Sequence, residues 1–192
     1  MKSLLVNGRS KKYSDTLDFY PTPPWATRAL CEFVVMPKGS VLEPACGEYH
    51  ISNTLKEYNL KVTSKDIMYG DDFLACKSKK KYDWVITNPP YEYASEFLQK
   101  SLALSNVGTA FLVRYTFLES KKRYETIFRD NPPSVIGQFT ERIAFNSGRM
   151  SKVGKTGVAY CWVVWLKENN HSTQFLFIPP CKNKLEREKD YG

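Results

Sequence analysis

Residues 84–91 read WVITNPPY, and this stretch predicts the end of a buried strand. The run is apolar and rich in β-branched residues up to Thr87, which is typical of a strand covered on both faces. The strand must end near Asn88, because Pro89 and Pro90 have a restricted φ and no backbone N–H for a ladder. The sequence therefore predicts a rigid corner that carries a polar side chain at the end of a buried strand.

Strand and helix patterns alternate on both sides of this corner. Strand patterns occur at 40–44, 61–67, 82–89, 109–117, 134–139, 157–167 and 173–179, and helix patterns at 25–35, 50–59, 93–105 and 120–130. This alternation predicts an α/β fold with a mostly parallel sheet, in a single domain over residues 1–192.

Three local features add to this fold prediction. Thr22 is a candidate N-cap for the first helix, with prolines in its first turn. The last two strand patterns predict an antiparallel pair at the edge of the sheet. The charged residues 182–192 predict a tail that is frayed or helical at the surface.

Composition limits the class of protein. The chain has 192 residues, of which 42% are hydrophobic and 14% aromatic, which suits one domain with a packed core. Its formal net charge of +8 predicts a polyanionic partner, with nucleic acid as the first choice. The alternative is a basic protein without such a partner.

The cysteine and histidine content argues against a metal centre or a disulfide framework. Five cysteines without a C-x-x-C pair, and only two histidines, offer few ligands, so no metal is predicted. We find no signal-peptide pattern and no apolar run of membrane-spanning length, and we expect a cytoplasmic protein that does not bind membranes.

The unusual residues follow the predicted strands, and ligands of parallel α/β sheets bind at the carboxyl ends of the strands. Asp66 comes 19 residues after Gly47, a spacing at which an acid can bind ribose hydroxyls. Asp71 and Asp72 offer carboxylates for an adenine amino group, and Phe73 offers a ring to pack on it. The alternative is that Gly47 ends a strand and the acids cap helices.

The corner itself presents acceptors for an exocyclic amine. Asn88 offers a side-chain oxygen and Pro89 a backbone carbonyl, and the two prolines hold both in place. Tyr91 adds a flat face suited to a planar base. The alternative is an Asn-Pro turn that ends a strand.

These motifs resemble those of the S-adenosylmethionine-dependent DNA amino-methyltransferases, and specifically the adenine-N6 enzymes. Residues 88–91 (NPPY) resemble the catalytic motif, 42–47 (LEPACG) the cofactor motif, and 20–24 (YPTPP) the segment that precedes it. The order of the motifs and the short chain are similar to compact enzymes of phages and prophages. The resemblance covers residues 18–91 and the later strand at 161–165 (CWVVW).

The resemblance implies a Rossmann-like class I methyltransferase fold, S-adenosylmethionine as cofactor, and DNA as partner in a bacterial or phage-infected cytoplasm. The catalytic residues implied are Asn88, Pro89, Pro90 and Tyr91. The cofactor-binding residues implied are Tyr20, Thr22, Pro23, Glu43, Pro44, Ala45, Gly47, Asp66, Ile67, Asp72, Phe73 and Asn88. In such an enzyme a flipped adenine stacks on Tyr91, while Asn88 and Pro89 accept hydrogen bonds from its amino group.

Cys46 is interpreted as a packing residue and His50 as a cover of the turn. Tyr49 stands where the family has a second glycine, which predicts a shifted loop or a narrower cofactor site.

Recognition of the nucleic acid is predicted for the basic region that follows. Residues 114–155 contain nine Lys or Arg and four Asp or Glu, a net charge of +5. A small target-recognition insertion is predicted at 131–157. Within it, residues 141–157 (ERIAFNSGRMSKVGKTG) are the candidate loop for contact with a groove, with a solvated hairpin as the alternative. The candidate nucleic-acid-binding residues are Arg114, Arg142, Asn146, Arg149, Lys152 and Lys155.

Other functions fit part of this pattern. Adenine-N6 in RNA and the amide of a protein glutamine also present a planar NH2 group, although the basic charge disfavours a protein substrate. An inactive nucleic-acid-binding protein with the same fold is a further alternative, motivated by Tyr49. A nicotinamide oxidoreductase is disfavoured, because the chain has no G-x-G-x-x-G motif.

Overall fold

A computed structural model describes residues 20–145, 157–168 and 172–191. Its centre is a seven-stranded sheet. The strands are β1 (Ser40–Glu43), β2 (Lys61–Ser64), β3 (Tyr82–Thr87), β4 (Ser105–Arg114), β5 (Val135–Phe139), β6 (Tyr160–Leu166) and β7 (Gln174–Ile178). They lie in the order β2-β1-β3-β4-β6-β5-β7.

Helices cover both faces of the sheet. The α-helices are α1 (Pro24–Ala29), α2 (His50–Lys56), α3 (Ala94–Leu104), α4 (Lys121–Arg123) and α5 (Lys182–Leu185). Turns of π-helix extend α1 over Leu30–Val34 and α4 over Tyr124–Phe128. Short 3₁₀ turns lie at Ile67–Tyr69, Tyr91–Tyr93, Tyr115–Leu118 and Glu188–Tyr191. In the part of the chain that the structure describes, none of these helices has the length and apolar character needed to cross a membrane.

The predicted α/β class with a mostly parallel sheet is confirmed, and the C-terminal half does contain antiparallel pairing. The predicted partners differ, however. Strands β6 and β7 run in opposite directions but are separated by β5, which pairs antiparallel with β6 and parallel with β7. Burial explains this order: β6 is buried from Tyr160 to Trp165, whereas most of β7 is exposed. A strand that is apolar on both faces is stable in the middle of a sheet, where helices cover both of its faces. Strand β6 therefore lies between β4 and β5, and the more exposed β7 lies at the edge.

Side chains of alternating strand positions build one core layer on each face of the sheet. Trp84 and Trp162 pack with α1 on one face, and Val85 and Phe111 pack with α3 on the other. The indole N–H of Trp162 donates to the carbonyl of Ala26 at 2.8 Å, which ties α1 to β6. This contact fixes the helix that directly follows the YPTPP segment.

The start of α1 corrects the predicted cap. The N-cap position is Pro23 rather than Thr22, and no side chain caps the helix. Pro24 occupies the first turn, where its missing N–H costs no hydrogen bond. The Thr22 hydroxyl is thereby available for a contact outside the helix.

Of the two alternatives predicted for the C-terminal tail, the structure has the helical one, since Lys182–Leu185 and Glu188–Tyr191 form helical turns. The segment is also tied to α1. Arg28 is buried and donates to Asp190 at 2.7 and 2.8 Å, to Glu57 at 2.9 and 3.1 Å and to the carbonyl of Leu185 at 2.7 Å. The Asp190 side chain is only 3% exposed. A buried guanidinium needs such compensation, because an unpaired buried charge is costly.

We expect the Asp190→Asn variant to be less stable by about 3 kcal/mol at neutral pH, because it leaves the buried Arg28 with one carboxylate fewer. Burial raises the pKa of Asp190, but its bonds with Arg28 outweigh this effect, and the pKa of Asp190 is lowered overall. The pKa of Glu57 is lowered, chiefly by its hydrogen bond with Arg28. Both contributions are therefore present above the unfolded pKa values and are lost as the pH falls through the folded values.

Urea unfolding of the wild type at a series of pH values should show this loss from about pH 5 downward. The Asp190→Asn variant should show a flatter profile. The exposed Asp130→Asn variant is the matched control, since Asp130 pairs with Arg129 at the surface, and its stability should change by less than about 0.5 kcal/mol. Equal stability of Asp190→Asn and wild type would contradict this account of the network.

Candidate active site

The carboxyl ends of the parallel strands β1, β2, β3 and β4 meet at one edge of the sheet, where two adjoining clefts open. The first cleft has a volume of about 470 Å³ and is lined by residues that include Pro44, Ala45, Asp66, Ile67, Asp72 and Phe73. The second has a volume of about 530 Å³ and is lined by residues that include Tyr20, Thr22, Glu43, Gly47, Asn88 and Tyr91. Ala45, Asp66 and Pro90 border both clefts.

The candidate cofactor and catalytic residues are thus brought together at these clefts, with one exception. Pro23 lines neither cleft, and its carbonyl accepts the first bond of α1 from the Ala26 N–H at 2.9 Å. Pro89 and Pro90 are buried beside Asn88 and border the second cleft.

The side-chain amide of Asn88 has a defined orientation. Its Nδ2 donates to the Thr22 hydroxyl at 3.1 Å and to the Tyr20 carbonyl at 3.3 Å. A carbonyl oxygen only accepts hydrogen bonds, so the nitrogen must face it. Within the described residues the buried Asn88 Oδ1 then has no hydrogen-bond partner. An unsatisfied buried acceptor costs about 1–3 kcal/mol, which indicates a missing donor at this position.

Tyr91 is held as a rigid aromatic surface. Its hydroxyl lies 2.7 Å from the hydroxyl of Tyr160, and the guanidinium carbon of Arg114 lies 3.9 Å from its ring centroid. Burial raises the pKa of Tyr91 further than Arg114 lowers it. The phenol therefore stays protonated at neutral pH and serves as a surface rather than as a base.

The turn at Gly47 is held by hydrogen bonds to both the backbone N–H and the backbone carbonyl of this residue. Its N–H donates to Asp66 Oδ2 at 2.8 Å, and its carbonyl accepts from the Tyr69 hydroxyl at 3.0 Å. Asp66 Oδ1 accepts from Met68 N at 2.9 Å, so this buried carboxylate also caps the 3₁₀ turn Ile67–Tyr69. Asp66 is therefore both a cap and a wall of both clefts.

Tyr49 takes a backbone conformation that usually belongs to glycine. Its φ is 67° and its ψ 17°, and its ring stacks on Tyr69 with centroids 5.3 Å apart and planes at 15°. The ring lines neither cleft, so the predicted narrowing of the cofactor site is wrong. The Tyr49 ring stacks instead on Tyr69, whose hydroxyl binds the Gly47 carbonyl, so it lies beside the turn but outside both clefts.

Two further acids, Glu43 and Asp72, border the clefts and are held by different contacts. Burial raises the pKa of Glu43 well above its ordinary value, and Ser52 donates a hydrogen bond to its carboxyl group. Asp72 Oδ1 accepts from the amides of Leu74 and Ala75 at 2.9 and 3.0 Å and so caps the turn that carries Phe73. The predicted capping role of Asp72 and its place at the first cleft are therefore both present.

Cys46 and His50 occupy the places that the sequence predicts for them. Cys46 is buried, and burial raises its pKa to about 12, so its thiol is protonated at neutral pH. His50 lines the second cleft and lies 3.3 Å from a carboxylate oxygen of Glu48. Among the residues described, no group of three or more His, Cys, Asp and Glu side chains is arranged to hold a metal ion.

The candidate nucleic-acid-binding residues are only partly described. Arg114 ends β4 beside Tyr91, and the exposed Arg142 donates to the carbonyl of Gly157 at 3.3 Å. Asn146, Arg149, Lys152 and Lys155 lie outside the described residues. Of the predicted insertion 131–157, β5 belongs to the main sheet and 146–156 are outside the described residues.

Sequence reasoning missed Tyr160, Tyr69 and the contact of Thr22 with Asn88. No local spacing marks Tyr160, because it reaches Tyr91 through the pairing of β4 with β6. Only the resemblance of the YPTPP segment pointed to Thr22, and it did not indicate that Thr22 orients the Asn88 amide.

Comparison with known proteins supports a fold assignment. No protein-family model matches the chain, and no curated protein matches it. Among solved structures, it is similar to a modification subunit of a putative type I restriction enzyme from Vibrio vulnificus, with 16% identity, a TM-score of 0.59 and 95% of this chain and 54% of that chain covered. A type I restriction-modification methyltransferase subunit from Streptococcus thermophilus has 11% identity, a TM-score of 0.58 and coverages of 82% and 46%.

A putative class I S-adenosylmethionine-dependent methyltransferase from Listeria monocytogenes is similar as well, with 13% identity, a TM-score of 0.55 and coverages of 80% and 62%. The chain has the Rossmann-like class I methyltransferase fold. It spans between 46% and 62% of the length of these three structures. The likeness concerns the fold alone.

The conformation of Tyr49 gives a test of the turn. At a positive φ a Cβ atom is strained, so we expect Tyr49→Gly to be more stable than Tyr49→Ala by about 1 kcal/mol, as measured by urea unfolding. Asn59, with a φ of 60°, offers the matched pair Asn59→Gly and Asn59→Ala, for which the same order is expected. If the alanine variant of Tyr49 equals the glycine variant, the left-handed turn is wrong.

Proposed function

We propose that this protein transfers a methyl group from S-adenosylmethionine to the N6 amino group of adenine in DNA. The observation that carries the proposal is the buried Oδ1 of Asn88, which lacks a donor among the described residues while its Nδ2 is held by Tyr20 and Thr22. An exocyclic amine supplies the missing donor.

The residues at the two clefts fit S-adenosylmethionine. Ile67 and Phe73 give the first cleft apolar walls for an adenine ring, and Asp72 is an acceptor beside them. Asp66, shared by both clefts, suits the ribose hydroxyls, and Glu43 and Gly47 in the second cleft suit the methionine part. When bound, this cofactor supplies an electrophilic methyl group on sulfur.

The chain contributes orientation and electrostatics to the reaction. Asn88 Oδ1 and the Pro89 carbonyl accept hydrogen bonds from the two amino N–H groups of the target base. These bonds draw the nitrogen lone pair out of conjugation with the ring. Tyr91 stacks on the base and fixes its plane. Bound beside the corner, the cofactor would supply the methyl carbon and would keep the electron pair of the broken carbon–sulfur bond on its sulfur. Asn88 Oδ1 and the Pro89 carbonyl would hold the amino group until its surplus proton passes to water. No thiolate takes part, which agrees with the raised pKa of Cys46.

DNA is the proposed substrate class because of charge and resemblance together. The formal net charge of +8 favours a polyanion over a protein glutamine. The NPPY and LEPACG motifs resemble those of DNA adenine enzymes, and two similar structures are described as restriction-modification methylation subunits. Tyr49 lines neither cleft, so its place in the motif does not by itself favour an inactive binding protein.

We expect Asn88→Ala to lower kcat by at least about 10²-fold, because it removes an acceptor that is aimed at the reacting nitrogen. The measurement is transfer of labelled methyl groups to separate pools of DNA, RNA and protein. Because the resemblance also makes Asn88 a cofactor-binding residue, affinity for S-adenosylmethionine is measured separately by calorimetry, and kcat is compared at saturating cofactor. The exposed Asn53→Ala serves as the matched control and should keep wild-type activity.

Three outcomes would contradict the proposal. Normal DNA methylation by Asn88→Ala would show that the Asn88 side chain has no role in methyl transfer. Label in RNA or protein but not in DNA would show that the substrate is RNA or protein and not DNA. A wild type that shows no calorimetric binding of S-adenosylmethionine would exclude this cofactor.

Thr22 should act as a positioning residue for Asn88. We expect Thr22→Val to lower kcat, measured at saturating S-adenosylmethionine, by about tenfold, because a lost hydrogen bond lets the amide rotate. Thr22→Ser keeps the hydroxyl and should restore most of the activity. Equal kcat values for the valine and serine variants would show that the hydroxyl does not orient the amide.

A further inference from the structure

Arg114 occupies a fixed place beside the corner. It is the last residue of β4 and pairs across the antiparallel ladder with Tyr160, the first residue of β6. Its guanidinium carbon lies 3.9 Å from the ring centroid of Tyr91, whose hydroxyl is bonded to that of Tyr160. The cation is therefore held against the aromatic surface rather than extended into solvent.

The charge of Arg114 has no carboxylate partner among the described residues. Arg28, Arg129 and Arg187 all pair with acids. Burial lowers the pKa of Arg114, but the nearby phenol oxygens of Tyr160 and Tyr91 outweigh this effect and raise it overall. Neutral phenols do not neutralise a guanidinium, so a full positive charge remains at the corner.

One donor of Arg114 is also unused. Its Nε is buried and has no hydrogen-bond partner within the described residues. Arg123 provides a comparison, since it also covers an aromatic ring, that of Phe117 at 4.6 Å, but its Nε donates to the Phe117 carbonyl at 2.6 Å. A stacked arginine in this fold can thus use its Nε as a donor, although Arg123 also has no carboxylate partner among the described residues. In Arg114 both the Nε donor and the charge lack a partner of this kind, and an anion could supply one.

The position of Arg114 relative to the clefts limits the identity of that anion. Tyr91 lines the second cleft, whereas Arg114 lines neither cleft. Arg114 therefore does not border the space assigned to the cofactor, which favours another anion over the carboxylate of S-adenosylmethionine. In a nucleotide whose base reaches Asn88 and stacks on Tyr91, the phosphate is the nearest anion, one sugar away from the base.

We propose that Arg114 is the binding site for the phosphate of the nucleotide whose base enters the Asn88–Tyr91 corner. The inference rests on the proposed function, and it assigns to Arg114 a contact with the target nucleotide itself rather than with flanking DNA. Arginine suits this role, because its planar fork matches phosphate oxygens while its face stacks on an aromatic ring. The backbone contact would hold the nucleotide while Asn88 orients the amine.

The test uses the full chain and an oligothymidylate that contains one deoxyadenosine, with fluorescence anisotropy over a range of salt concentrations. We expect Arg114→Met to weaken binding about tenfold and to reduce the slope of log K against log salt by about 0.7, the value for one phosphate contact on a single strand. Arg114→Lys keeps the charge and should keep the slope. The exposed Arg129→Met removes the same charge elsewhere and should bind like the wild type.

A second measurement separates phosphate binding from support of Tyr91. We expect the wild type to bind deoxyadenosine 5′-monophosphate more tightly than deoxyadenosine, and Arg114→Met to lose this preference while its affinity for deoxyadenosine is unchanged. A wild-type salt slope in Arg114→Met would overturn the proposal. An equal loss of affinity for nucleoside and nucleotide would also overturn it, because Arg114 would then act only through the ring.

Failure of this inference differs from failure of the proposed function. If the wild type methylates adenine and Arg114→Met does so with an unchanged KM for the oligonucleotide, the phosphate site is wrong and the function stands. If the wild type shows the nucleotide preference but methylates no adenine, the function is wrong and the phosphate site stands.

Discussion

The side-chain amide of Asn88 is the constraint on which the rest of the site depends. Its nitrogen is bonded to Tyr20 and Thr22, which lie 68 and 66 residues earlier in the chain. Because the nitrogen and oxygen of an amide share one plane, fixing the first aims the second. The segment that makes these contacts leads directly into α1, which is buried and bonded to Trp162 of β6. The corner is therefore positioned by the packed core rather than by its own loop.

The reversed direction of β6 has a second effect on the site. Parallel strands bring only their carboxyl ends to this edge of the sheet, but an antiparallel strand brings its first residue there. Tyr160 consequently lies beside Arg114 and reaches Tyr91, although no pattern in the sequence connects the three. Its hydroxyl and the guanidinium together set the plane of the aromatic surface.

Sequence reasoning was effective where a residue's role follows from its place at a strand end. Asn88, Asp66 and Phe73 follow predicted strands, and the topology brings them to the same clefts. Sequence reasoning failed where the structure depends on contacts between segments that are far apart in the sequence. The partners of β6 depend on its burial on both faces, and the left-handed turn at Tyr49 depends on a stack with Tyr69, twenty residues later. The ion pairs of Arg28 depend on contacts that span 29 and 162 residues, which no local pattern encodes.

The network around Arg28 also orders events during synthesis. Arg28 lies in the helix that follows the Tyr20–Thr22 segment, yet its partner Asp190 is made 162 residues later. Until Asp190 has left the ribosome, burying Arg28 would leave its charge only partly neutralised by Glu57. Packing of the helix is therefore less favourable while the chain is growing, by about the 3 kcal/mol expected for Asp190→Asn, and the amide of Asn88 is held less firmly. The corner should reach its final geometry after translation has passed Asp190.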